Sequence, residues 1–319
     1  MACSYYSLFA QCENARVHPL PALTPIRSSM NGFRSIRQSF EFVRSFIWEL
    51  YLLELFGALS TTVLGLASAS LLGVQAKNIW PFWFFSYLAV YNLDRLYVDP
   101  ADLINTPLRI AWRERLRPKR WILSGVAVLA LATWAVLCAG SATMAIVLGG
   151  IVLLWFYSRP LPGLKFRLKD SLLFKSVGVP LAISISLVCF PLAIAGRLRD
   201  TPTNLLVFFW CFLLLFTNGF IFDVRDRAGD LAQGTRTLPI ALGQRGSELA
   251  SLLLGVCLVW STLSLPPGLT RNWPLAAWLC SIYIALLCVL WRRQISALAL
   301  SFCADLLLVA PALCLFARR

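Results

Sequence analysis

Long apolar runs separated by short charged connections dominate the chain. Nine runs approach or exceed the roughly 20 residues that a helix needs to cross a bilayer, at about 47–73, 79–97, 120–139, 142–158, 171–195, 204–222, 248–264, 275–291 and 295–316. Their apolar residues are continuous and do not alternate, which excludes a β-barrel and predicts an all-α, polytopic transmembrane bundle of nine helices. Pro180 and Pro191 interrupt the fifth run, as embedded helices allow when neighbours satisfy the freed backbone groups. Residues 1–46 are polar, rich in serine and arginine and without an apolar signal core. They read as a cytoplasmic N-terminal tail whose end, near Phe40 to Phe46, lies along the interface, ahead of a transmembrane domain over 47–319. An organellar transit peptide is the alternative, and Glu13 and Glu41 stand against it.

Composition agrees with this pattern: 59% of the 319 residues are hydrophobic and only 14% charged, too apolar for a soluble chain of this size. The net charge of +14 lies in clusters between the apolar runs and not on one basic face, so it argues for membrane lipids as partners and against nucleic acid. Counting Lys and Arg by connection with the N-terminus inside puts 22 on the inner side and 6 on the outer, with Lys175 left within a span. That bias predicts N-in, C-out, with the bacterial inner membrane as the expected location and an organellar membrane as the alternative. The ten cysteines include no CxxC pair and there is a single histidine, His18, so neither a zinc site nor a disulfide framework is expected.

The chemistry concentrates in two connections on the same side. The sixth runs from Phe222 through Asp223, Arg225, Asp226, Arg227, Asp230, Gly234, Arg236 and Thr237 to Pro239. If the sixth helix continues past Phe222, Asp223, Asp226 and Asp230 fall on one stripe. Three carboxylates so placed repel, and a hard divalent cation carrying a substrate phosphate suits them best. The plainer alternative is a solvated loop in which the acids pair with Arg225, Arg227 and Arg236. Acids at a transmembrane helix end beside glycines favour a site.

These residues resemble the UbiA superfamily of intramembrane prenyltransferases, whose second acidic motif, DxxxxxxDxxxGxxTLP, is matched from Asp223 to Pro239. The resemblance implies nine helices, Mg2+ held by Asp223, Asp226 and Asp230, and a polyprenyl diphosphate as donor. The family's first motif is expected after the second run, where the chain has Tyr91, Asn92, Asp94, Arg95, Asp99 and Asp102. Aligned on Asp94 and Arg95, the family's preceding Asn-Asp pair falls on Val90 and Tyr91 and its last aspartate on Val98, so Asn92 and Asp99 are displaced. Pro100 also pushes Asp99 out of helical geometry. Asp94 and Asp99 then either complete a variant metal half-site or, for Asp99 together with Asp102, serve as a cap or turn. A degenerate, non-catalytic first motif is a further reading.

Tyr157, at the end of the fourth run, and Lys165, just after it, resemble the family's tyrosine–lysine segment. With Tyr91, Asn92, Arg95 and Arg227 they are the residues expected to touch substrate, the cations stabilising the departing diphosphate. Arg167 and Lys169 read as positive-inside anchors, and Trp80 and Trp83 as interfacial belt residues. Asp94, Asp223 and Asp230 are the expected catalytic residues of a magnesium-dependent transfer of a prenyl group to an aromatic or lipid acceptor. A membrane terpene cyclase of the same superfamily and a transporter are the alternatives.

Overall fold

The computed structural model describes residues 46–75, 78–97, 99–139, 149–150, 157, 167–198, 201–265, 279–284, 300–302 and 304–309. The chain divides into two units, Met1–Ile47 and Trp48–Arg319, of which the second carries both acid-bearing connections. Its regular elements among the described residues are all helical. They are α1 (Leu55–Leu71), α2 (Trp80–Asp94), α3 (Pro100–Asn105), α4 (Pro107–Trp134), α5 (Val179–Ile194), α6 (Pro202–Arg225), α7 (Arg227–Ala232) and α8 (Leu238–Ser264). Among the described residues, four helical stretches are long and apolar enough to cross a membrane: Ile110–Leu137, Phe174–Ile194, Pro202–Arg225 and Leu238–Ser264. A fifth is added if Phe46–Leu52 and α1 count as one span bent by 64°. The expected runs at 142–158, 275–291 and 295–316 lie largely outside the described residues, so the count of nine rests on the sequence.

Several boundaries move for local reasons. The basic connection before the third expected span is itself helical, because Pro107 occupies the first turn of α4, where a missing N–H costs nothing. In the fifth run, Phe174–Gly178 form a π-helical turn leading directly into α5, with Pro180 in the first turn of α5 and Pro191 inside it. The first run bends at Glu54, a non-glycine residue in the left-handed region at φ 64. Such a backbone persists only where surrounding contacts hold it, and Glu54 is buried with Arg95 Nε donating to its Oε1 at 3.2 Å.

The helices pack through aromatic and small residues. α1 lies against α2, α2 against α4, and α5 and α8 against α6. A Cβ on Gly65 would fall 2.5 Å from the Trp83 ring, so only glycine admits that ring between α1 and α2. Trp83 is therefore a core residue at 2% exposure, its indole N–H donating to the Ser186 carbonyl at 3.0 Å. This corrects its expected place in the interfacial belt, whereas Trp80 is exposed. A ring near a helix end is buried or exposed according to the face a neighbouring helix covers, and here α1 covers Trp83. The Phe82 and Phe190 rings meet at a tilt with centroids 4.2 Å apart, and Trp210 donates to the Thr262 hydroxyl at 3.1 Å, which satisfies its buried N–H. On α8 the exposed positions Leu249, Leu252, Leu253, Val256 and Trp260 recur at helical spacing. A helix apolar on its outer face as well as its inner one is suited to lipid.

Candidate active site around Lys175 and the two acid-bearing connections

The C-terminal end of α2 is held by cations from α4. Arg120, 2% exposed, donates to the Leu52 carbonyl at 2.9 Å and the Arg95 carbonyl at 3.2 Å, and Arg113 donates to the Leu96 carbonyl at 2.8 Å. The last carbonyls of a helix lack internal partners and carry the negative end of its dipole, so guanidinium groups are matched to them. Part of the basic cluster counted for topology thus has a structural use. Asn92 is fully buried, and its amide donates to the carbonyls of Leu53 and Leu88 at 2.9 and 3.0 Å. It ties the first run to α2. Tyr91 stacks on Tyr87, centroids 4.0 Å apart.

Asp99 is extended, with φ −82 and ψ 126, and caps α3 by accepting from the Ala101 N–H at 3.1 Å. Its other oxygen meets Arg167 at 3.1 Å and Lys169 at 2.8 Å. Arg167 and Lys169 are therefore partners of an acid and not only anchors; their pairing was invisible because Asp99 is 68 residues from Arg167. Burial raises the Asp99 pKa, but the hydrogen bond and charge of Lys169, the Ala101 N–H and Arg167 outweigh it and hold the carboxyl below its ordinary range.

The sixth connection does not continue as one helix. α6 ends at Arg225, Asp226 caps it, and α7 begins at Arg227, so the continuous stripe assumed for Asp223, Asp226 and Asp230 is broken. Asp226 pairs side by side with Arg225, Nε–Oδ1 at 2.7 Å and Nη2–Oδ2 at 2.6 Å. Arg225 also meets the Ser301 hydroxyl. Asp223 and Asp230, both nearly buried, converge on a different group: Lys175 Nζ lies 2.7 Å from Asp230 Oδ2 and 3.9 Å from Asp223 Oδ1. The neighbouring Ser176 hydroxyl donates to Asp223 Oδ2 at 2.7 Å. Burial leaves the Asp230 carboxyl above its ordinary pKa despite Lys175, a condition in which added positive charge stabilises the anion.

The two connections meet directly. α3 packs on α7, where the Gly229 N–H donates to Asn105 Oδ1 at 2.7 Å. A Cβ on Gly229 would fall 2.4 Å from the Ala101 carbonyl oxygen. Tyr157 lies within electrostatic reach of Asp94 and Tyr91 from the first connection and of Asp223 and Asp230 from the second. Of the residues expected from sequence, Asp223 and Asp230 are brought together on Lys175. Asn92 and Asp226 are engaged elsewhere, Arg95 pairs with Glu54 and approaches Asp102 at 4.0 Å, Arg227 opens α7, and Lys165 lies outside the described residues. Lys175, Ser176, Glu54 and Asp305, whose Oδ2 accepts from the Tyr51 hydroxyl at 3.1 Å, were not singled out. The available signal was a lone ionisable side chain within an apolar run, which is expensive unless paired or functional.

No curated protein and no solved structure matches the chain, whereas the model of the UbiA prenyltransferase family matches residues 58–307. That match covers well over half of the sequence and includes both acid-bearing connections, and the chain therefore belongs to the UbiA prenyltransferase family.

Proposed function

We propose that this integral membrane protein transfers a prenyl group from a polyprenyl diphosphate to an aromatic or lipophilic acceptor, with Mg2+ on the diphosphate. Family membership supports prenyl transfer within a membrane. The observation that carries the site is the convergence of Asp223 and Asp230 on the Lys175 ammonium across a helix break. Two acids that already share one cation offer the hard oxygen donors magnesium uses, since it is commonly held by one or two carboxylates together with substrate phosphates. No cluster of three or more His, Cys, Asp or Glu is gathered among the described residues, and this mode of binding needs none. Asp223 and Asp230 would hold the ion, with Asp94 the candidate from the first connection. When bound, magnesium supplies positive charge against the diphosphate as it leaves.

The chain's own part is to bind, orient and exclude water. Lys175, Lys165 of the fourth connection and Arg227 of the sixth would meet phosphate oxygens; Tyr157 is within electrostatic reach of both acid groups; Tyr87 and Tyr91, stacked on each other, would face an allylic cation. The C–O bond to diphosphate breaks, a carbon or heteroatom of the acceptor bonds to the prenyl carbon, and the acceptor's proton leaves to diphosphate or solvent. The inner, cytoplasmic side is the proposed location of both connections.

The test is incubation of purified protein with geranylgeranyl diphosphate and Mg2+, with and without a panel of phenolic and lipid acceptors. A prenylated acceptor formed only with Mg2+, and lost on chelation, is expected. A cyclic hydrocarbon formed without acceptor would reassign the protein as a cyclase.

A further inference from the structure

Lys175 occupies the position a metal ion would contest. It stands on the π-helical turn Phe174–Gly178, and turns of this kind recur at functional sites because one extra residue re-aims neighbouring side chains. Here consecutive residues, Lys175 and Ser176, both address the acids of α6 and α7. Asp226 takes no part in that arrangement because Arg225 faces both of its oxygens. The Lys175 ammonium therefore serves Asp223 and Asp230, touching one at 2.7 Å and the other at 3.9 Å.

A divalent cation arriving alone at these two carboxylates must displace the ammonium and leave it among nearly buried groups without its partner, which is unfavourable. A cation arriving with diphosphate brings phosphate oxygens to which the ammonium can pass. Lysine suits this because its charge is compact and its stem flexible. We infer that Lys175 is a diphosphate-contacting residue that makes occupation by a divalent cation depend on diphosphate, holding Asp223 and Asp230 until the two arrive together. This rests on the diphosphate site proposed above. The coupling is reciprocal, so diphosphate also binds better with metal present.

Mn2+ and inorganic pyrophosphate serve as probes, with full-length protein in nanodiscs and bound Mn2+ read by electron paramagnetic resonance at matched free Mn2+. In the wild type, pyrophosphate is expected to raise Mn2+ affinity at least about tenfold, within the range of ordinary site–site coupling. K175M should bind Mn2+ alone more tightly than the wild type and lose most of the pyrophosphate effect, while K175R, which keeps a cation, should retain it. Equal Mn2+ affinity in the wild type with and without pyrophosphate overturns the inference without recourse to a variant, as does an unchanged coupling in folded K175M. Absence of Mn2+ binding to the wild type under both conditions instead removes the metal site itself, and the inference with it.

Discussion

Lys175 and Asp230, 55 residues apart in the chain, are joined by a 2.7 Å contact that links the approach to α5 with the short helix α7. Through it the two strongest candidate metal ligands, on different helices, share one counter-charge. Asp223→Asn and Asp230→Asn should each lower diphosphate release by about 100-fold or more, the usual scale for removing a group that stabilises developing charge. Each variant leaves Lys175 the other carboxylate, so both should fold with a lowered melting temperature from the loss of one side of a nearly buried pair, and full turnover in both would remove them from the site.

Asp99 holds Arg167 and Lys169, a few residues before the turn Phe174–Gly178 that bears Lys175. Asp99→Asn should therefore increase hydrogen exchange across 167–178 and lower turnover by less than the roughly 100-fold that a misplacement of about 1 Å can cost. A loss equal to that of Asp223→Asn would instead make Asp99 a ligand.

Gly229→Ala places a methyl group 2.4 Å from the Ala101 carbonyl oxygen, where backbone must yield. Destabilisation of about 1–3 kcal/mol is expected from such overpacking, read as a lower melting temperature, with turnover falling as α3 and α7 separate. Gly125→Ala is the control: nothing lies within 4 Å of its added carbon, so its melting temperature should hold or rise.

Arg120 bridges the Leu52 and Arg95 carbonyls from a buried position. Arg120→Met should cost about 1–3 kcal/mol by leaving buried acceptors unsatisfied. Arg120→Lys should fail to restore the wild-type melting temperature, because one ammonium does not reproduce the guanidinium fork.

Glu54→Gln removes the charge facing Arg95. Arg95 is partly exposed and keeps Asp102 at 4.0 Å, so the cost should fall below the roughly 3–5 kcal/mol of a fully buried broken pair, read as a lower melting temperature. Combination with Arg95→Gln should be markedly less than additive in a double-mutant cycle.

The hydrophobic pattern alone was enough for the helical class and for the runs that became Phe174–Ile194, Pro202–Arg225 and Leu238–Ser264, because a backbone in lipid must satisfy its polar groups internally. The spacing from Asp223 to Pro239 likewise carried the family, since it is a local pattern. What the sequence could not decide is which charges meet. A single stripe of acids requires one unbroken helix, yet the chain breaks at Asp226, which turns to Arg225, while Asp223 and Asp230 reach Lys175 within the fifth run. Asp99 looked like either a cap or a ligand, and the fold makes it a cap that also holds two cations. Helical periodicity follows from backbone geometry repeated every few residues and is written along the chain, whereas the pairing of buried charges depends on which helices are pressed together, and only the tertiary packing determines that.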